Sequence, residues 1–168
     1  MRDNKPLELE AVNYVCSRLA KINLKYSNPN YDENGGDLIV INEISHDTFK
    51  SLNIQVKGRD ISTNNSNVKI HKSYVRDNFV CFLYLRNGEE FNDYLYCFFD
   101  IDVSAWEEKK EFYYLNIPQN SIQAGVFLKY EFNRVKADKI RSILESQIER
   151  HHADIKEWNL TLIDNTIM

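Results

Sequence analysis

From Leu52 onward the chain alternates apolar and polar side chains: Leu52, Asn53, Ile54, Gln55, Val56, Lys57, then Gly58. A period of two predicts a strand, with Leu52, Ile54 and Val56 on one face and Asn53, Gln55 and Lys57 on the other. Upstream, Leu38, Ile39, Val40 and Ile41 are continuously apolar. They predict a strand from about Asp37 to Glu43, covered on both faces. The polar stretch Ile44 to Ser51 reads as the connection between them. If the two strands pair as a hairpin, the carboxylate of Asp37, the amide of Gln55 and the ammonium of Lys57 converge at one end of the pair. Gly35 and Gly36 allow the backbone to turn sharply just before Asp37.

The rest of the pattern surrounds this pair. Leu7 to Asn23 reads as a first helix, with Glu8, Ala11, Val12, Val15, Leu19 and Ile22 on one face and Pro6 suited to its first turn. Ser27 to Gly36 is a turn-rich loop, and Ser62 to Asn67 is a polar loop expected beside the hairpin. Val68 to Arg76 reads as a short strand or helix. Phe79 to Leu85 is the most hydrophobic run and predicts a central strand, and Tyr94 to Ile101 follows the Asn87-Gly88 turn signal as another. Glu107 to Glu111 reads as a short charged helix or loop. Phe112 to Ile117 reads as a strand near a sheet edge, because Pro118 ends it. A long charged helix is expected over Val135 to Ile155, with Ile140, Ile143, Leu144, Ile148 and Ile155 as its apolar seam, and Trp158 to Met168 reads as a strand or tail. The expected fold is an α/β single domain, residues 1–168, with a mixed central sheet of about five strands flanked by the first and late helices.

Composition narrows the choices. The chain has 168 residues, 43% of them hydrophobic, and no apolar run long enough to span a membrane or serve as a signal peptide, so a cytoplasmic protein is expected. Cys16, Cys81 and Cys97 lie in apolar runs without a Cys-x-x-Cys pair, which favours buried thiols over zinc or disulfides. His151 and His152 are adjacent, about 100° apart on a helix, and poorly placed to share a metal. The net charge of −4 opposes a protein that coats nucleic acid with its whole surface. Lys50 to Arg76 nevertheless holds six basic residues against one acid, Asp60. This suits a phosphate-facing groove, or equally a run of solvated lysines. Lys69, His71 and Lys72 within it could touch phosphate. No Walker loop, dinucleotide glycine fingerprint, His-Glu-x-x-His or nucleophile elbow is present.

Asp37 followed by Gln55-Val56-Lys57 resembles the PD-(D/E)xK nuclease superfamily in its Gln-x-Lys variant, similar to Mrr-type restriction endonucleases. The resemblance covers about the first half of the chain, with Gly rather than Pro before the Asp and Gln in place of the second acid. It implies a restriction-endonuclease-like fold and a DNA-cleaving enzyme dependent on Mg²⁺ or Mn²⁺, of restriction or phage-defence type. The catalytic residues would be Asp37, Gln55, Lys57 and Glu8, with Asp37, Gln55, Glu8 and the intervening Val56 at the metal. Glu8 enters because a carboxylate on the apolar helix face needs a partner or a metal. The alternative is a frayed, wet first turn. Glu10 falls on the polar face and reads as solvated. A double-strand cut needs two sites, so a homodimer or partner subunit is a possible assembly. Two other readings stay open: a catalytically inactive module of this fold that binds nucleic acid or a partner protein, and a plain α/β interaction protein whose Gln55 and Lys57 decorate a solvent face.

Overall fold

The computed structural model describes residues 5–29, 36–45, 48–61, 66–88 and 93–146. Helix α1 (Lys5–Lys21) buries Ala11, Val15 and Leu19, and ends where Asn23 adopts φ 58° and Leu24 N donates to the Leu19 carbonyl. This is the left-handed stop that asparagine tolerates. Strands β1 (Lys25–Ser27), β2 (Leu38–Ser45), β3 (Thr48–Asp60), β5 (Val80–Arg86) and β6 (Tyr94–Phe99) form one mixed sheet in the order β1-β2-β3-β5-β6. Only β3 and β5 run parallel; the other neighbours are antiparallel. Strands β4 (Ser66–His71), β8 (Phe112–Ile117) and β7 (Glu107–Lys109) form a second, three-stranded sheet in that order.

The α/β architecture and the mixed five-stranded sheet agree with the sequence expectation, and several details differ. The stretch Ile44 to Ser51 is not a long connection: β2 runs to Ser45, β3 starts at Thr48, and the ladder continues through Asn42 opposite Lys50. Backbone pairing propagates along a hairpin whether or not its side chains are apolar. Strand β2 is covered on one face rather than two, since Leu38 and Val40 are buried while Ile39 and Ile41 are only half-buried. The short β1, all three of whose residues are exposed, carries no hydrophobic signal. Strand β8 lies in the middle of its sheet, because Pro118 falls just past the ladder and caps helix α3 (Gln119–Gln123). Residues Glu107–Lys109 form a strand hairpinned to β8 through Lys110 at φ 52°. Helix α2 (Asp100–Ser104) takes over from β6, with Asp102 accepting from Phe99 N at 3.0 Å.

Two hydrophobic clusters lie on opposite faces of the large sheet. On one face α1 and a helix over residues 134–146 (α4) cover Leu38, Val40, Ile54, Val56, Phe82 and Cys97. Ala137, Ile140 and Leu144 supply the α4 seam, with Ile143 partly buried beside them. The expected continuation through Ile148 and Ile155, the histidines His151 and His152, and the stretch Trp158 to Met168 lie outside the described residues. On the other face Cys81, Leu83, Tyr96 and Phe98 pack with Val68, Ile70 and Ile117 of the second sheet. Strand β5 is thus buried on both sides throughout Val80 to Leu85. Gly58 is what lets α1 approach β3, since a β-carbon there would stand 2.8 Å from the Leu7 carbonyl oxygen. Among the described residues no helix is long and apolar enough to cross a membrane.

Candidate functional site

The hairpin register decides which side chains meet. Leu38 pairs with Ile54, and Asp37 N donates to the Ile54 carbonyl at 3.0 Å. Because Leu38, Ile54 and Val56 point into the α1 cluster, alternation sends Asp37, Gln55, Lys57 and Arg59 to the opposite face. Strand β2 no longer flanks β3 beyond this point. The Asp37 carboxylate takes its place there, its Oδ2 accepting from Val56 N at 2.6 Å. In an extended strand the N–H and C=O of one residue point to the same side. The Val56 carbonyl is therefore directed toward the Asp37 side of the strand as well.

Gln55 is the only buried polar or charged side chain among the described residues, 4% exposed, and its Oε1 has no hydrogen-bond partner. Leaving a buried acceptor unmade costs about 1–3 kcal/mol, so such an atom asks for a ligand. Lys57 is half-buried. Arg59, also half-buried, donates to the carbonyls of Asn67 and Gly58, each at 2.6 Å, and thereby ties β3 to β4. Burial lowers the pKa of Arg59, opposed by the negative charge of Glu8.

Glu8 differs from expectation. It is exposed rather than held in the apolar face, so the burial argument for a metal ligand does not apply to it. Glu10, expected to be solvated, is instead the structured acid of the helix. Its Oε2 accepts from Arg86 at 2.9 Å, and its Oε1 lies 2.7 Å from the Tyr84 hydroxyl, which is also 2.7 Å from Asp93 Oδ2. Arg86 in turn donates to Asp60 at 2.7 Å. The reason is the phase of the helix: the buried line runs through Ala11, Val15 and Leu19, and Glu10 flanks it where β5 presents Tyr84.

Beneath the cluster lies Cys81, paired in register with Gln55. Burial pushes its thiol up to about 12, with Lys57 and Arg59 pulling it down and Asp37 pushing it up, so all three site charges act on this one buried sulfur. Cys97 is raised beyond the usual range, also by burial, and Cys16 is raised to a lesser degree. A thiol raised on folding stabilises the fold only below its unfolded pKa, near 9, and that stability drains away as pH climbs from there to about 12. Two outcomes are expected: native Cys81 and Cys97 resist alkylation at pH 8 at least 100-fold better than in denaturant, and the melting temperature falls steadily above pH 9. Rapid native labelling of either residue, mapped by mass spectrometry, would contradict this.

A cavity of about 300 Å³ adjoins Gln55 on the same face, between β3 and the segment from Ser73 to Phe79 that leads into β5. Asn53, Tyr74, Arg76 and Asn78 are among its lining residues. The alternation of Asn53 with Gln55 was visible in the sequence, whereas nothing local marked residues 73–79 as its opposite wall. Most of the other basic residues of this region have structural partners. Lys69 stands over the Phe112 ring, and Lys72 pairs with Glu108 and stands over Tyr113. His71 accepts from Ser73 N at 3.2 Å.

No group of three or more His, Cys, Asp or Glu side chains among the described residues could hold a metal. The available set is one carboxylate, Asp37, with two neutral oxygens, Gln55 Oε1 and the Val56 carbonyl. It fits a hard cation such as Mg²⁺, which takes oxygen ligands, keeps several waters and is often held by one or two carboxylates. The orphaned Gln55 oxygen is the observation in favour of that fit.

Fold and site together define a mixed α/β protein with a polar cluster on an inner strand of its larger sheet. No protein-family model matches the sequence, and no curated protein matches it either.

Proposed function

We propose that the chain is a restriction-endonuclease-like, metal-dependent nuclease that hydrolyses phosphodiester bonds in DNA. The observation that carries this reading is the Asp37 carboxylate docked on the Val56 amide at 2.6 Å, on the same face as Lys57 and the partnerless oxygen of Gln55. Asp37, Gln55 and the Val56 carbonyl would hold a Mg²⁺ or Mn²⁺ ion. When bound, the ion would lower the pKa of a coordinated water and neutralise phosphate oxygens. The chain's own contribution is positional. The Val56 amide fixes the Asp37 carboxylate at the end of the strand pair. Lys57 orients the attacking water and stabilises charge that builds on the phosphate.

Supercoiled plasmid and single-stranded DNA should be cut in Mg²⁺ or Mn²⁺ and left intact in EDTA. Asp37→Asn retains an acceptor for Val56 N but loses the charge, so cleavage should drop at least 100-fold and calorimetric Mg²⁺ binding should weaken. A wild-type protein that cuts neither substrate in either metal overturns the proposal. The single carboxylate favours a second reading, a catalytically silent module of the same fold that binds nucleic acid or a partner protein. It predicts binding without cleavage.

A further inference from the structure

We infer that the cavity beside Gln55 receives one unpaired nucleotide of the DNA, base inward, so that the protein engages a strand where it is unstacked. The cleavage arm of this inference rests on the nuclease reading; the binding arm does not. Size already restricts the occupant. At about 300 Å³ the cavity lies at the small end for ligand sites. It has room for a single planar ring system with part of its sugar, and none for a base pair.

The lining restricts it further. The amides of Asn53, Gln55 and Asn78 carry donors and acceptors of the kind a base edge pairs with, and the Tyr74 side chain, 38% exposed, offers an aromatic surface. Arg76 brings a guanidinium to the wall, its Nε held by the Ser73 carbonyl at 3.1 Å, where it suits a phosphate. A site for a bare anion would have no use for the Tyr74 ring and would not include Asp77. A purely apolar ligand would leave the amides unmatched.

Gln55 is 4% exposed and lines this cavity, and its Oε1 has no partner. That oxygen is closed to solvent as placed, and a turn of the amide presents it, or the amide N–H₂, to a base edge in the cavity. Position points the same way. Gln55 belongs to both the cavity and the Asp37–Lys57 cluster, and Asn53 abuts Gly36, where a β-carbon would stand 3.3 Å from its own. A nucleotide seated in the cavity is therefore adjacent to the residues proposed to act on its phosphate.

The test uses the full chain in EDTA, with a duplex carrying 2-aminopurine either in a one-nucleotide bulge or fully paired. Wild type should bind the bulged duplex at least 10-fold more tightly and change the emission of the bulged base only. Asn53→Leu, which replaces a wall amide with a bulkier apolar group, and Arg76→Glu should each weaken binding of the bulged duplex more than binding of the paired one and so remove most of that preference. Should Asn53→Leu fail to fold by circular dichroism, Arg76→Glu alone decides. Equal affinity for the two duplexes, or a preference untouched by Arg76→Glu, overturns the inference. Preference for the bulge without any cutting in Mg²⁺ upholds the pocket and removes the nuclease. Cutting of paired DNA with no preference for the bulge does the reverse.

Discussion

Replacing Lys57 with alanine should leave a protein that melts within a degree or two of wild type and cuts DNA at least 100-fold more slowly. The two halves of that result have separate causes. Lys57 is half-buried and forms no ion pair among the described residues, so its removal orphans no carboxylate, and surface truncations of this kind usually stay within about 0.5 kcal/mol. A positioned group that orients water or meets developing charge contributes about 10²–10⁴ in rate. Gel-based cleavage of plasmid in Mg²⁺, beside a thermal melt, measures both. A folded alanine variant that cuts at the wild-type rate would remove Lys57 from the mechanism and take the nuclease proposal with it.

Phe82→Ala should behave in the opposite way. Phe82 is fully buried, lies across from Val56 in the parallel ladder and from Cys97 in the antiparallel one, and meets Phe132 edge-on at 4.9 Å. Deleting a ring there should cost about 3–5 kcal/mol. For a chain of this size that corresponds to a fall in melting temperature of roughly 10 °C. Because Phe82 points to the α1 and α4 face while Asp37, Gln55 and Lys57 occupy the other, cleavage per folded molecule should stay within about threefold of wild type. A melting temperature unchanged from wild type would mean that this face is not the packed core described. The two variants together separate stability on one side of the sheet from the proposed chemistry on the other.

Much of this arrangement is legible in the order of the residues alone. The alternation Leu52-Asn53-Ile54-Gln55-Val56-Lys57 placed Asn53, Gln55 and Lys57 of β3 on one face, and the unbroken apolar run of β5 marked the strand that both cores share. Less legible were features that depend on partners distant in sequence. Glu8 and Glu10 differ by two positions on one helix. Which of them is structured depends on where Tyr84 and Arg86 arrive from β5. Strand β8 ends at a proline, as edge strands often do, yet Pro118 falls one residue beyond the ladder and costs it nothing.

The sequence by itself determined the in-and-out pattern of each strand and the apolar seams of the helices, because burial free energy acts residue by residue with a fixed local period. It also determined that Asp37, Gln55 and Lys57 would share a side if the hairpin formed in that register. Only the tertiary structure decided that β2 begins at Leu38, so that the Asp37 carboxylate caps the Val56 amide, and that residues 73–79 come to lie across from Gln55 as the opposite wall of a cavity. Those outcomes come from contacts between segments tens of residues apart, whose energies no local periodicity records.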